Sequence, residues 1–195
     1  MGTPDVPADV VKYLGEIVTK LRLEINNLNM HHSNSPLMKL VRVFLNRQRA
    51  NEKPLGAHKD KGPVISASVH VCTEDIMGGG LRFLGGECKT IHWPKGEATS
   101  LTFASTLTHK TIMVDNGTDY GFIFFFDFDD ETNSGKHRFP SGHIGKTKTI
   151  LPAEGCATLL QFCEHTFKEE VWTYEKHESA KTKWKDALAK SNGKQ

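Results

Sequence analysis

His58 and Asp60 stand two residues apart in "KPLGAHKDKGPVISASVHV", just ahead of a β-branched run, and His109 lies far downstream in "STLTHKTIMV". A catalytic iron site needs two imidazoles and one carboxylate on one face of the metal, with the opposite positions open to co-substrate and oxygen. Residues i and i+2 of a strand point the same way, so His58 and Asp60 can both act from one strand end. His109 would come from a strand distant in sequence and adjacent in space. A lone H-x-D in a chain with ten histidines carries little weight. The order of all three residues, and the elements around them, carries more.

The elements that must hold these residues are legible from periodicity. Residues 8–28 place Val11, Leu14, Val18, Leu21, Ile25 and Leu28 at three- and four-residue spacings, which predicts an amphipathic helix. From Met38 to Phe128 the runs "MKLVRVFLN", "PVISASVHV", "GLRFLG", "KTIHW", "ATSLTFA", "HKTIMV" and "YGFIFFFDF" alternate with glycine, proline and charge, which predicts an all-β sandwich or barrel. Helical spacing returns at 157–190, with Leu160, Cys163, Phe167, Val171 and Tyr174 on one side and Trp172 and Trp184 at the edges. The expectation is a single domain over 1–195: helical support at 1–37, a β core at 38–130, then a basic loop and C-terminal helix at 131–195.

Between the two halves of the candidate site sits "MGGGLRFLGG". H-x-D, then "GGGLRF", then a histidine ahead of a strand resembles the double-stranded β-helix of the iron(II)/2-oxoglutarate-dependent dioxygenases, over roughly residues 38–128. The resemblance implies a jelly-roll, cupin-like core and Fe(II) held by His58, Asp60 and His109. It also implies an activity that couples oxidation of 2-oxoglutarate by O2 to hydroxylation of a substrate C–H bond. "LNRQRANEKPLGAHKDK" is similar to the AlkB-type nucleic-acid demethylases, which implies that Asn46 contacts the co-substrate. "GGGLRF" is closer to prolyl hydroxylases and to the TET/JBP group, which oxidises methyl groups on pyrimidine bases. Two other readings of the residues stay open: three unrelated surface polar residues, or a cupin-type barrel binding another metal.

The chain departs from that family in one place. Members carry an Arg or Lys after the distal histidine to meet the far carboxylate of 2-oxoglutarate, and "NGTDYGFIFFFDFDD" has neither. Asp119 stands near that position and would repel a dicarboxylate. Arg82, on the "GLRF" strand, is the expected substitute. Lys110 is a second candidate, although as the neighbour of His109 it should face the opposite way. Otherwise the protein uses another co-substrate or is a non-catalytic β-barrel binding module.

Net charge is +2, but the basic residues cluster. Lys39, Arg42, Arg47, Arg49, Lys53, Lys59 and Lys61 face only Glu52 and Asp60 within 39–61, and 134–150 holds Lys136, Arg138, Lys146 and Lys148 with no acid. These segments are expected to attract the phosphates of DNA or RNA, with a protein substrate as the alternative. Tyr120 and Trp93 could stack on a base, although core packing suits them better. His31-His32 and the segment 137–149 read as a polar loop and a basic lid. Cys72, Cys88, Cys156 and Cys163 form no C-x-x-C pair and are expected reduced, packed as small apolar residues. With no membrane-length apolar run and no signal-peptide pattern at "MGTPDVPADVV", the expectation is a soluble intracellular protein of cytoplasm or nucleus, without a membrane partner.

Overall fold

In a computed structural model of the protein, residues 6–29, 38–85, 88–129 and 142–167 are described. The chain runs α1 (Ala8–Asn29), β1 (Met38–Arg49), β2 (Ile65–Cys72), β3 (Met77–Gly78), β4 (Leu81–Leu84), β5 (Thr90–Ile91), β6 (Thr99–Ala104), β7 (Thr108–Thr111), β8 (Val114–Asn116), β9 (Thr118–Phe128), β10 (Lys148–Thr149) and α2 (Ala153–Thr166). The larger sheet has the order β1-β9-β2-β6-β10 and the smaller one β5-β4-β7, with β3 and β8 pairing at the side. Every pairing is antiparallel. A bridge between His58 and His109 lays the segment before β2 alongside β7. The result is a jelly-roll-like β core flanked by helices.

Alternation within the large sheet separates a structural face from a chemical one. In β2, Ile65, Ala67, Val69 and Val71 pack beneath the helices, with Phe122, Phe124 and Phe126 of β9 and with Ile17, Leu21 and Ile25 of α1. Side chains of opposite parity point inward, and these include Ser66, Ser68 and His70. The run "FIFFF" therefore divides: its three buried phenylalanines at 122, 124 and 126 are core, while Ile123 and Phe125 face the cavity. Between the sheets lies a second apolar cluster, in which Leu101 and Phe103 of β6 meet Leu81 and Phe83 of β4. Trp93 joins that cluster.

Polar contacts lock α1 onto the sheet. Lys20 Nζ donates to the Ile150 carbonyl at 2.7 Å, and Glu24 accepts from Thr102 Oγ1 at 3.1 Å and pairs with Lys148 at 2.9 Å. The expected basic loop thus contains a short strand, with Lys148 and Thr149 paired to β6. The helix expected at 157–190 begins earlier, at Ala153, and reaches Thr166; the remainder of that expectation, with His31, His32 and the residues 136–138, lies outside the described residues. Cys72, Cys156 and Cys163 are buried as expected, but Cys88 is exposed. No helix among the described residues is long and apolar enough to cross a membrane.

Candidate metal centre

The peptide N–H and carbonyl of His58 exchange hydrogen bonds with those of His109, both at 2.9 Å, so the two imidazoles sit side by side with centroids 4.3 Å apart. Asp60 is fixed by its backbone N–H to the Ser105 carbonyl at 3.2 Å and by its Oδ2, which accepts from Ser66 Oγ at 2.6 Å. The ligating atoms of His58, Asp60 and His109 all lie within 4.8 Å of one another. Asp60 Oδ1 is 3.7 Å from His58 Nε2, and Oδ2 is 3.9 Å from His109 Nε2. Donors each ~2.1 Å from one shared ion stand about 3 to 4.2 Å apart, so the carboxylate is already at chelating distance from each imidazole.

The tautomers agree. His58 Nδ1 donates to the Gly56 carbonyl at 2.9 Å and His109 Nδ1 to the Leu107 carbonyl at 3.0 Å, which leaves both Nε2 atoms as lone-pair donors toward Asp60. His109 is buried, between Phe83 and Phe103. Burial holds its imidazole below the ordinary value, against the Leu107 carbonyl and the Asp60 carboxylate, which favour the charged form. A neutral imidazole is the form that ligates. Two imidazoles and one carboxylate suit a divalent ion of Fe(II) type.

The trio opens on a cavity of about 480 Å³ between the sheets, lined also by Asn46, Gln48, Ser68, His70, Asp119 and Phe125. Asn46, which the family resemblance offers as a co-substrate contact, lines this cavity. Arg82 and Lys110 are not brought there. Arg82 is exposed on β4, between the inward Leu81 and Phe83, and pairs in register with Lys110 on the neighbouring strand. The cation expected opposite the metal is on neither residue.

Asp119 has a partner that the sequence reading missed. His70 Nδ1 lies 2.8 Å from its Oδ1 and 3.1 Å from its Oδ2, both residues are buried, and the Cys72 thiol donates to Oδ1 at 3.5 Å. The imidazole stacks on Trp93 at 3.9 Å, with the rings 12° from parallel. A Cβ at Gly121 would meet His70 Cε1 at 2.9 Å, so only glycine leaves room for the ring. The available signal was Ser66-x-Ser68-x-His70: three polar residues on one face of a strand whose other face is wholly apolar. Trp93 and Tyr120 are buried; Tyr120 stacks on Phe167 beneath the end of α2.

No family profile matches the chain, and no curated protein matches its sequence. Solved structures similar to it in shape include two of iron- or nickel-bearing oxygenase type by their descriptions. A crystal structure of an oxidoreductase of the 2OG-Fe(II) oxygenase family from Burkholderia pseudomallei aligns with a TM-score of 0.43 and 14% identity over 50% of this chain. This chain spans 46% of that one. A non-heme monooxygenase, the ThoJ-Ni complex, aligns with a TM-score of 0.34 and 12% identity over 84% of this chain and 92% of that one.

Proposed function

We propose that the protein is a non-heme Fe(II) oxygenase using 2-oxoglutarate and O2 to hydroxylate a C–H bond of a macromolecule, with a methylated nucleic-acid base as the substrate. The observation that carries the reading is the convergence of His58 Nε2, an Asp60 oxygen and His109 Nε2 at the edge of a cavity of about 480 Å³. When bound, the iron and 2-oxoglutarate supply the oxidising chemistry. The chain's own residues do the rest. Gly56 and Leu107 hold the two imidazoles in the ligating tautomer, and Ser66 orients the carboxylate. Ile123 and Phe125 keep one wall of the cavity apolar, and the Asn46 amide offers the co-substrate a hydrogen bond.

Nucleic acid is favoured over a protein substrate by the cations around the trio. Lys53 lines the cavity, and Lys59 and Lys61 flank Asp60; all three are exposed. Within 142–150, Lys148 is instead engaged by Glu24, so the supporting charge is that of 53–61. Binding to a short duplex should weaken as salt rises. Replacing the three lysines with glutamine should flatten that slope, by about 0.9 in log–log terms for each phosphate no longer neutralised. An affinity indifferent to salt argues for a protein substrate instead.

The catalytic reading is tested by anaerobic Fe(II) titration with 2-oxoglutarate, watching for the visible charge-transfer band of the chelate. The band should form with the wild type and be absent in His58→Ala and Asp60→Ala. Iron binding without a band points to a different co-substrate.

A further inference from the structure

The cavity holds one buried polar pair that the metal centre does not use. His70 and Asp119 are 6% and 5% exposed. Asp119 accepts from the ring on the Nδ1 side, while His70 Nε2 is buried with no hydrogen-bond partner among the described residues. Ser68 Oγ, two residues back on the same face of β2, is also buried and unpartnered among those residues. The inward side chains of β2 thus form a ladder. Ser66 at one end touches Asp60, Ser68 follows, and His70 lies four residues on, ~13 Å along the strand.

We infer that His70, held by Asp119, is the anchor for the distal carboxylate of a 2-oxo dicarboxylic acid whose other end binds at the metal; this rests on the oxygenase reading above. A carboxylate in such a pocket needs a charged donor, and His70 supplies it as the imidazolium, with Nδ1–H on Asp119 and Nε2–H on the ligand. Ser68 Oγ adds a neutral donor beside it. Asp119, which alone would repel the acid, is matched by the imidazolium and holds it in place. Arg47, which also lines the cavity, gives a terminal nitrogen to Glu52 at 3.0 Å and lies over the ring of Phe167, with its buried Nε unpartnered among the described residues.

The groups bearing on His70 are Asp119 on β9 and Cys72 on β2, with Arg47, Glu52, Lys53 and the metal trio elsewhere around the cavity.

The test uses Co(II)-loaded protein, reading metal binding from the visible absorption of Co(II) and 2-oxoglutarate binding by calorimetry. His70→Gln should weaken 2-oxoglutarate binding at least about tenfold, with Co(II) binding unchanged. Gly121→Ala, which pushes on the ring, should weaken 2-oxoglutarate binding and again spare Co(II). A His70→Gln protein that binds the acid as tightly as wild type overturns the anchor while leaving the metal centre standing. Failure of Co(II) to bind wild type overturns the metal reading, and the anchor with it.

Discussion

At the scale of single residues the centre depends on supports as much as on ligands. Ser66 Oγ is the side chain that fixes Asp60, so Ser66→Ala should weaken metal binding by roughly tenfold, the usual effect of removing an outer hydrogen bond to a ligand. A competition titration against a chelator measures it; an unchanged affinity would mean that the carboxylate is held by its backbone alone. The grouping of His58, Asp60 and His109 was legible in the sequence, from H-x-D followed by a histidine ahead of a later strand. His70 was not. Its importance comes from Asp119, Trp93 and Gly121, which reach it from β9 and from the segment after β5, and no spacing rule links these positions.

At the scale of elements, periodicity foretold α1 and the long strands, because one covered face imposes its period on the sequence. β3 and β10, two residues each, are set by tertiary pairing and left no pattern to read. The glycine run of "GGGLRF" is explained by backbone needs. Gly80 has φ of 125°, and a Cβ there would run into the Ile91 carbonyl oxygen, so β4 can pair with β5 only with glycine before it. Gly80→Ala should cost more than about 1 kcal/mol in urea unfolding and disturb the strand that carries Phe83 against His109. The helical face predicts a contrasting result. Ile17, fully buried beneath the sheet, should cost about 2–5 kcal/mol on replacement by alanine, yet leave metal affinity unchanged in whatever fraction is folded. Loss of metal binding in that variant would show that the two faces of the sheet are not independent.

For the whole molecule, burial sets a pH window. It holds His109 and His143 below their ordinary imidazole value and the thiols of Cys72, Cys156 and Cys163 above theirs. Below about pH 6.5 the unfolded chain takes up protons on these histidines that the folded chain refuses, so stability falls as pH drops. Above about pH 8.5 the unfolded chain releases thiol protons that the folded chain keeps, so stability falls again. Melting of the metal-free protein should therefore show a plateau between these limits and decline on either side. The fold class was readable because short alternating runs repeat from Met38 to Phe128, after a helical period at 8–28. The His70–Asp119 end of the cavity was not, because that pair joins two strands far apart in sequence. The most direct test of the metal centre is a Co(II) titration of wild type and of the His58→Ala, Asp60→Ala and His109→Ala variants, followed by visible absorption. The trio predicts one ion bound by wild type and at least about 100-fold weaker binding in each variant, beyond the effect expected of Ser66→Ala; wild-type binding that survives Asp60→Ala undiminished would contradict it.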